Sequence, residues 1–158
     1  MPANDETREL WVEKRIDAPI DAVWKAWTDH LEEWWCPKPW TTELIQLDLR
    51  AGGRAAMIMR GPDGEENAIE GVILEVVPGR KIVWSDVFKA GWVPSDPFMA
   101  GTWEFTPQGD KTLYRGSARH WSEEAYQQHK LMGFEAGWGV AARQLEAVAK
   151  RIAETADA

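Results

Sequence analysis

A strand pattern gives way to a helix pattern within residues 111–152, KTLYRGSARHWSEEAYQQHKLMGFEAGWGVAARQLEAVAKRI. Arg115 and Arg119 lie four residues apart in the first ten residues of this stretch, so in a strand they share one face, and we expect that charged face to point outward. Ser122 is a good helix N-cap, and the acidic pair that follows it suits the positive end of a helix dipole. Apolar residues then recur at spacings of three and four and predict a helix to nearly the end of the chain: Leu131, Phe134, Trp138, Ala141, Leu145, Val148 and Ile152.

Two glycines, Gly133 and Gly137, interrupt this helical stripe. Each costs about 1 kcal/mol relative to alanine in a helix interior, so they indicate a bend or a close approach to the sheet. His129 falls nearly opposite the stripe when it is placed at about 100° per residue. We therefore expect a surface position for His129 unless the glycines bend the helix, and a pairing with His120 for acid/base chemistry is a further hypothesis.

In the rest of the chain, turn signals separate strand-like segments, as in an antiparallel sheet. Alternating apolar residues predict a first strand at 10–17, and the apolar spacing after Pro19 predicts an amphipathic helix with a further short turn through Trp34. Tight-turn signals then separate six predicted strands, at 43–50, 54–60, 67–77, 80–88, 99–106 and 111–121. The predicted fold class is α+β: a curved, seven-stranded antiparallel sheet around a long C-terminal helix, an arrangement that usually leaves a cavity between the two.

Composition limits the classes of function. The 158 residues form one predicted domain, with about 8–155 expected to be ordered, and the net charge of −8 disfavours nucleic acid as a partner. The N-terminus lacks a secretory signal and no stretch is apolar enough to span a membrane, so we expect a cytoplasmic protein. The chain has 11 Trp and a single cysteine, Cys36, which excludes an internal disulfide. No sequence pattern predicts a metal site or a cofactor.

Usual catalytic motifs are missing from the sequence, including the nucleophile elbow of serine hydrolases, phosphate-binding glycine loops and H-E-x-x-H. Cys36 lies six residues from His30 and could in principle pair with it as a nucleophile. We favour a thiol packed beside Trp34 and Trp35 under a proline turn, because buried thiols are usually inert.

The last two strands give the candidate binding residues. Gly101, Trp103 and Phe105 share one face of their strand, and the opposite alternation turns Tyr114 and His120 toward the helix. A ligand there would have apolar walls and two polar groups to fix its orientation, whereas a packed core is the alternative. The cavity candidates are Trp84, Trp103, Phe105, Tyr114, His120, Phe134 and Trp138.

The segment at 89–98 is too broken by Gly and Pro for a strand and too aromatic for an ordinary solvent-exposed loop. Trp92 and Phe98 are its aromatic residues, and we interpret them as an entrance loop over the cavity mouth. A loop tucked onto the sheet edge explains the same residues equally well.

Several stretches, in order along almost the whole chain, resemble the START-like, or helix-grip, superfamily, and within it bacterial proteins similar to the activator of heat shock protein 90 ATPase. They are IDAPIDAVWKAWTD at 16–29, EEWWCP at 32–37, LDLRAGG at 47–53, PDG at 62–64, EVVPGRKIVW at 75–84 and ARHWSEEAYQQHKLMGFEAGWG at 118–139. The resemblance implies a helix-grip fold. It implies less about function, because the superfamily includes lipid and steroid carriers, hormone-binding proteins, aromatic polyketide cyclases and chaperone regulators.

Three functions follow from these observations. The first is a binding module, monomeric or homodimeric, that encloses a small apolar or aromatic molecule. The second is an enzyme similar to the cyclases or hydrolases of this fold, with His120 or Tyr114 as general acid/base. The third is a protein-interaction module with a chaperone partner, which ranks below the others because the eukaryotic activator carries an additional N-terminal domain with no counterpart in this sequence.

Overall fold

The computed structural model describes the backbone of residues 8–157 and the side chains of residues 8–155, so residues 1–7 and 158 of the predicted domain lie outside the description. Its strands are β1 (Glu9–Ile16), β2 (Thr41–Leu47), β3 (Arg54–Arg60), β4 (Glu66–Val77), β5 (Lys81–Ser85), β6 (Phe88–Lys89), β7 (Val93–Pro94), β8 (Met99–Gln108) and β9 (Lys111–His120). Its helices are α1 (Ile20–Asp29), α2 (Leu31–Trp34), α3 (Glu123–Leu131) and α4 (Phe134–Asp157).

Seven of the strands form one antiparallel sheet in the order β1-β9-β8-β5-β4-β3-β2. Tight turns with glycine at positive φ connect sequential neighbours, as at Gly79 between β4 and β5 and Gly109 between β8 and β9. Burial alternates along β8, where Trp103 and Phe105 are buried and Thr102 and Glu104 are partly exposed. The predicted α+β fold, with seven strands, short helices after the first strand and a long C-terminal helix, is confirmed.

The helices cover only part of the sheet. Helix α1 buries Ala22, Val23, Ala26 and Trp27 in the core, and α4 packs most closely against α1, α2 and β1. Because α4 rests on the β1 side, the inner faces of β3, β4 and β5 retain open space in front of them. No helix within residues 8–157 is long and apolar enough to cross a membrane.

The C-terminal helix is divided, and this corrects the expectation of one apolar stripe from Leu131 onward. Helix α3 ends at Leu131, and Gly133 adopts a φ of +88° before α4 begins. That conformation is open to glycine and costly for other residues. The side chain of Leu131 is 85% exposed, so its predicted place on the apolar stripe was wrong, whereas Gly137 lies within α4.

The segment at 89–98 also differs from its prediction, because Phe88–Lys89 and Val93–Pro94 pair as a two-stranded ribbon outside the main sheet. The preceding strand ends at Ser85, three residues earlier than predicted. Asp86 then turns the chain, and its carboxylate accepts hydrogen bonds from the backbone N–H groups of Phe98 and Met99 at 2.8 and 3.3 Å. This carboxylate therefore fixes both ends of the segment.

Candidate functional site: a cavity lined by indole rings

A cavity of about 900 Å³ lies between the C-terminal helices and the open half of the sheet. It is within the roughly 300–1,000 Å³ range of small-molecule sites. Most of its lining is apolar and comes from α1, α2, the segment after α2, the sheet and α4. The lining includes Trp27, Leu31, Trp34, Trp35, Trp40, Ala55, Met57, Ile73, Trp84, Met99, Trp103, Phe134, Gly137, Trp138 and Ala141.

Three indole rings form the central wall of this cavity. The rings of Trp103 and Trp138 are stacked, with an interplanar angle of 8° and centroids 5.7 Å apart. Trp35 contacts both, at centroid distances of 5.5 and 6.4 Å. A Cβ at Gly116 would lie 3.3 Å from the Trp138 ring and 3.4 Å from the Trp103 ring. The absence of a side chain at this sheet position therefore leaves room for the stacked pair.

Two polar groups are buried beside the indole wall. Tyr114 is only 2% exposed; burial raises the pKa of its phenol, and the neighbouring Trp27 side chain partly opposes that effect. The phenol is therefore protonated at neutral pH and can donate a hydrogen bond. The indole N–H of Trp27 is buried without an acceptor in hydrogen-bond geometry within the described part of the chain. This N–H is sealed from the cavity beside the Tyr114 oxygen, so the phenol O–H is the donor that makes this end of the cavity suit a hydrogen-bond acceptor.

Two histidines meet at the α3 side of the cavity. Nε2 of His120 lies 2.8 Å from Nδ1 of His129, and Nδ1 of His120 lies 2.8 Å from the backbone oxygen of Arg8. Burial lowers the pKa of His120. Burial together with the nearby His120 lowers the pKa of His129 to about 4. Both rings are consequently neutral at pH 7.

His129 was expected at the surface unless the glycines bent the helix, and the break at Gly133 meets that exception. The helical path breaks at Gly133, so α3 does not continue the helix of α4. The side on which His129 lies therefore cannot be calculated from the apolar residues of α4. Its ring lines the cavity and contacts the rings of Phe98 and Phe134, with centroids 5.2 and 5.0 Å away.

The structure separates the seven predicted cavity residues into two groups. Trp84, Trp103, Tyr114, Phe134 and Trp138 line the cavity. Phe105 and His120 do not belong to its lining. Phe105 is packed in the core against Trp24 and Tyr114, at centroid distances of 5.4 and 5.7 Å, and His120 lies behind His129.

The two predicted entrance residues also occupy different places. Phe98 lines the cavity and packs against the His120 ring, with centroids 5.5 Å apart. Trp92 does not belong to the lining; its ring lies over the turn at Gly52, where an added Cβ would be 2.8 Å from the indole. Trp92 is nevertheless 54% exposed. It therefore packs against the edge of the domain, as one interpretation of the loop has it, and keeps an exposed aromatic surface, as the other has it.

Cavity residues that the sequence did not indicate include Trp35, Met57 and Asp86. Trp35 follows a four-residue helix, which is too short for a periodic pattern to predict a facing. Asp86 stands between a strand and an irregular loop, and burial raises the pKa of its carboxyl group. In the sequence, the only indication of its role was an acidic residue placed just before an aromatic loop.

Cys36 lies in the cavity wall but is 7% exposed, and burial raises the pKa of its thiol. This arrangement agrees with an unreactive packed cysteine. His30, its hypothetical partner, pairs instead with Glu33 at 2.6 Å. Within the described residues, no group of three or more His, Cys, Asp and Glu side chains is arranged to hold a metal ion.

The architecture and the cavity define the class of protein: an α+β domain of the helix-grip, START-like kind. The chain belongs to the family described as activator of Hsp90 ATPase homolog 1-like protein, whose model matches residues 17–150. The predicted resemblance is thereby confirmed. No curated protein shows significant similarity to the chain.

Solved structures of bacterial proteins share this fold. A protein from Nitrosomonas europaea is 30% identical, with a TM-score of 0.86 over 90% of this chain and 94% of the other. A protein from Mycobacterium smegmatis is 28% identical, with a TM-score of 0.77 over 90% and 91% of the two chains. A third, from Arthrobacter aurescens, is 26% identical, with a TM-score of 0.79 over 92% and 88%.

Proposed function

We propose that the protein binds a small, largely apolar or aromatic molecule in the indole-lined cavity. The observation that carries this proposal is the cavity of about 900 Å³ with its largely apolar, indole-rich lining. Burial of apolar ligand surface contributes about 25 cal/mol per Å² before the costs of association are subtracted. The expected setting is cytoplasmic, with the protein acting as a monomer or a homodimer.

The polar groups of the cavity supply orientation for the ligand. Tyr114 presents a hydrogen-bond donor at one end, and His129 presents an imidazole at the α3 side. A few polar groups in an otherwise apolar pocket are typical of sites that select a ligand by shape and by one or two hydrogen bonds. This support favours a ring-containing molecule over a long flexible chain, because flat rings can stack on the indole wall.

The proposal can be tested with N-phenyl-1-naphthylamine, a neutral aromatic probe whose fluorescence rises in apolar surroundings. We expect saturable binding to the wild type and binding at least fivefold weaker in Gly137→Trp. Gly137 lines the cavity, and no atom lies within 4 Å of a Cβ built there, so the new side chain starts in open space and takes up cavity volume.

Gly139→Trp is the matched control because it places the same side chain on α4 outside the cavity lining. An added Cβ at Gly139 meets only the end of the flexible Arg143 side chain, at 3.9 Å. Equal weakening in both variants, or no saturable binding to the wild type, would refute the proposal. Native mass spectrometry of protein purified from its own source would then identify any resident ligand by a mass excess that denaturation removes.

An enzyme acting in the same cavity is the second candidate, and the paired histidines favour it. His129, with His120 behind it, has the placement of a base held in position by a second group. Of the predicted acid/base residues, His120 would act through His129 because it lies outside the cavity lining, and the protonated phenol of Tyr114, which lines the cavity, is available as a general acid. Chemical conversion of the extracted ligand by the purified wild type, lost in His129→Phe, would support this function; an unchanged ligand would oppose it.

A further inference from the structure

The histidine pair belongs to a chain of hydrogen bonds whose direction can be determined. The backbone oxygen of Arg8 lies 2.8 Å from Nδ1 of His120, and it also accepts from the backbone N–H of His120 at 3.2 Å. A carbonyl oxygen only accepts hydrogen bonds. Nδ1 of His120 must therefore carry the proton.

This assignment fixes the proton positions of the second ring. A neutral imidazole has one N–H donor and one acceptor nitrogen, so Nε2 of His120 is the acceptor. Nδ1 of His129 lies 2.8 Å from it and must donate. The remaining nitrogen of His129, Nε2, then carries a lone pair and no proton.

The His129 ring forms part of the cavity wall, and Nε2 is its ring nitrogen that is not used by His120. Nδ1 of His129 points at His120, so Nε2 occupies the other side of a ring that forms part of the cavity wall. No group within residues 8–155 donates a hydrogen bond to it, and it is not among the fully buried unpaired atoms. The rings of Phe98 and Phe134 beside it carry no polar atom, and the indole N–H of Trp138, whose ring centroid lies 6.1 Å from that of His129, makes no hydrogen bond to it.

The charge state of the pair agrees with this assignment. The titratable groups that face the two rings are Asp86, whose charge acts on His120, Tyr126, whose ring centroid lies 5.8 Å from that of His120, and the two imidazoles themselves. Burial lowers the pKa of His129 to about 4. The lone pair on Nε2 is therefore free to accept a hydrogen bond at neutral pH.

We propose that Nε2 of His129 accepts a hydrogen bond from the cavity ligand, so that the ligand is an aromatic molecule bearing a hydroxyl or N–H donor, such as a phenol or an arylamine. The inference rests on the proposed binding function and adds the polar group by which the site selects its ligand. His120 and the Arg8 carbonyl act as positioning groups, since they orient the ring and fix its tautomer.

The tautomer is testable without a ligand. Two-dimensional ¹H–¹⁵N correlation spectra of histidine side chains distinguish a protonated from a bare ring nitrogen, and the chain has only 3 His to assign. We expect a protonated Nδ1 in both His120 and His129 at pH 7.5. A proton on Nε2 of His129 would overturn the proposal.

The ligand class is testable by displacement of N-phenyl-1-naphthylamine with two matched competitors, 4-propylphenol and 4-propylanisole. They differ only in that a methyl group replaces the phenolic proton. The measured quantity is the ratio of the dissociation constant of the anisole to that of the phenol. We expect this ratio to be about three- to tenfold larger in the wild type than in His129→Phe, which is the range of one net hydrogen bond. Phenylalanine retains a ring for packing against Phe98 and Phe134.

His30→Phe is the matched control, because His30 pairs with Glu33 and does not line the cavity, and we expect it to keep the wild-type preference. An unchanged preference in His129→Phe, or a preference lost instead in Tyr114→Phe, would refute the inference while leaving the binding function intact. Failure of the probe itself to bind the wild type would refute the binding function, and the inference with it.

Discussion

His129 couples protonation to folding because its ring is largely removed from water. Its pKa falls from 6.5 to about 4 in the folded state, so the unfolded chain takes up this proton first as the pH decreases. Stability contributed by the neutral ring is therefore complete above pH 6.5 and is lost progressively toward pH 4. We expect a loss of about 1–2 kcal/mol over this window, less than the full shift implies because the ring is partly open to solvent.

The pH dependence can be assigned to the residue by comparison with His129→Phe. Urea unfolding of both proteins between pH 7 and pH 4 should show a shallower decline for the variant. His120 shifts in the same direction as His129, whereas Asp86, whose pKa is raised by burial, titrates in the opposite sense near the acid end. Parallel stability curves for the two proteins would contradict the prediction.

The junction of α3 and α4 shows how one glycine sets the orientation of an element. Gly133 has a φ of +88°, and alanine in that region costs about 1–2 kcal/mol. Gly133→Ala should therefore destabilise the fold by this amount in urea unfolding, although a Cβ there would meet no atom within 4 Å. It should also weaken the contact between His129 and His120, because α3 would be pulled toward the helical phase of α4.

Gly137→Ala is the control, because we expect this substitution, four residues further on, to raise the free energy of unfolding rather than lower it. Gly137 lies inside α4 with open space around an added Cβ, so alanine should stabilise the protein by up to about 1 kcal/mol. A neutral or stabilising Gly133→Ala would show that the left-handed conformation is not required at the junction.

Gln144 holds the segment after α2 against α4. Its side-chain nitrogen donates to the backbone oxygens of Trp34 and Cys36, at 3.0 and 2.7 Å, and its oxygen accepts from the backbone N–H of Lys38 at 3.1 Å. Gln144→Glu removes the donor and turns a carboxylate toward two carbonyl oxygens. We expect a loss of about 1–3 kcal/mol in urea unfolding, and weaker probe binding because Trp35 lies on this segment.

Gln128→Glu is the matched control for Gln144→Glu, since it makes the same chemical change at an exposed position of α3. Its effect should stay within about 0.5 kcal/mol. If the two variants lost equal stability, the three hydrogen bonds of Gln144 would not be what fixes the cavity wall.

The parts of the fold that depend on local pattern could be predicted from the sequence. Alternation placed Trp103 and Tyr114 on the inner face because a strand has a period of two residues regardless of its partners. It could not place His129, since the phase between two helices depends on the conformation of Gly133. Nor could it place Trp35, because a short helix followed by two prolines has no period from which to predict a facing.

A ligand that fills the cavity should stabilise the entire domain, because α1, the segment after α2, α4 and the sheet all contribute to its wall. At about 100 times its dissociation constant, N-phenyl-1-naphthylamine should add about 2.7 kcal/mol to the free energy of unfolding. That corresponds to a rise in Tm of roughly 5–10 °C for a chain of this size, measurable by calorimetry. The rise should be unaffected by salt, since the probe is neutral and the net charge of −8 cannot attract it.

The variant pair at Gly137 and Gly139 separates binding in the cavity from adsorption on the surface. At the same probe concentration, the Tm rise should shrink by several degrees in Gly137→Trp and persist in Gly139→Trp, because only the first side chain enters the cavity. A fivefold loss of affinity removes about 1 kcal/mol of the ligand's stabilisation. A Tm that stays constant at saturating probe, or that rises equally in both variants, would show that the space beside Trp103 and Trp138 is not the binding site.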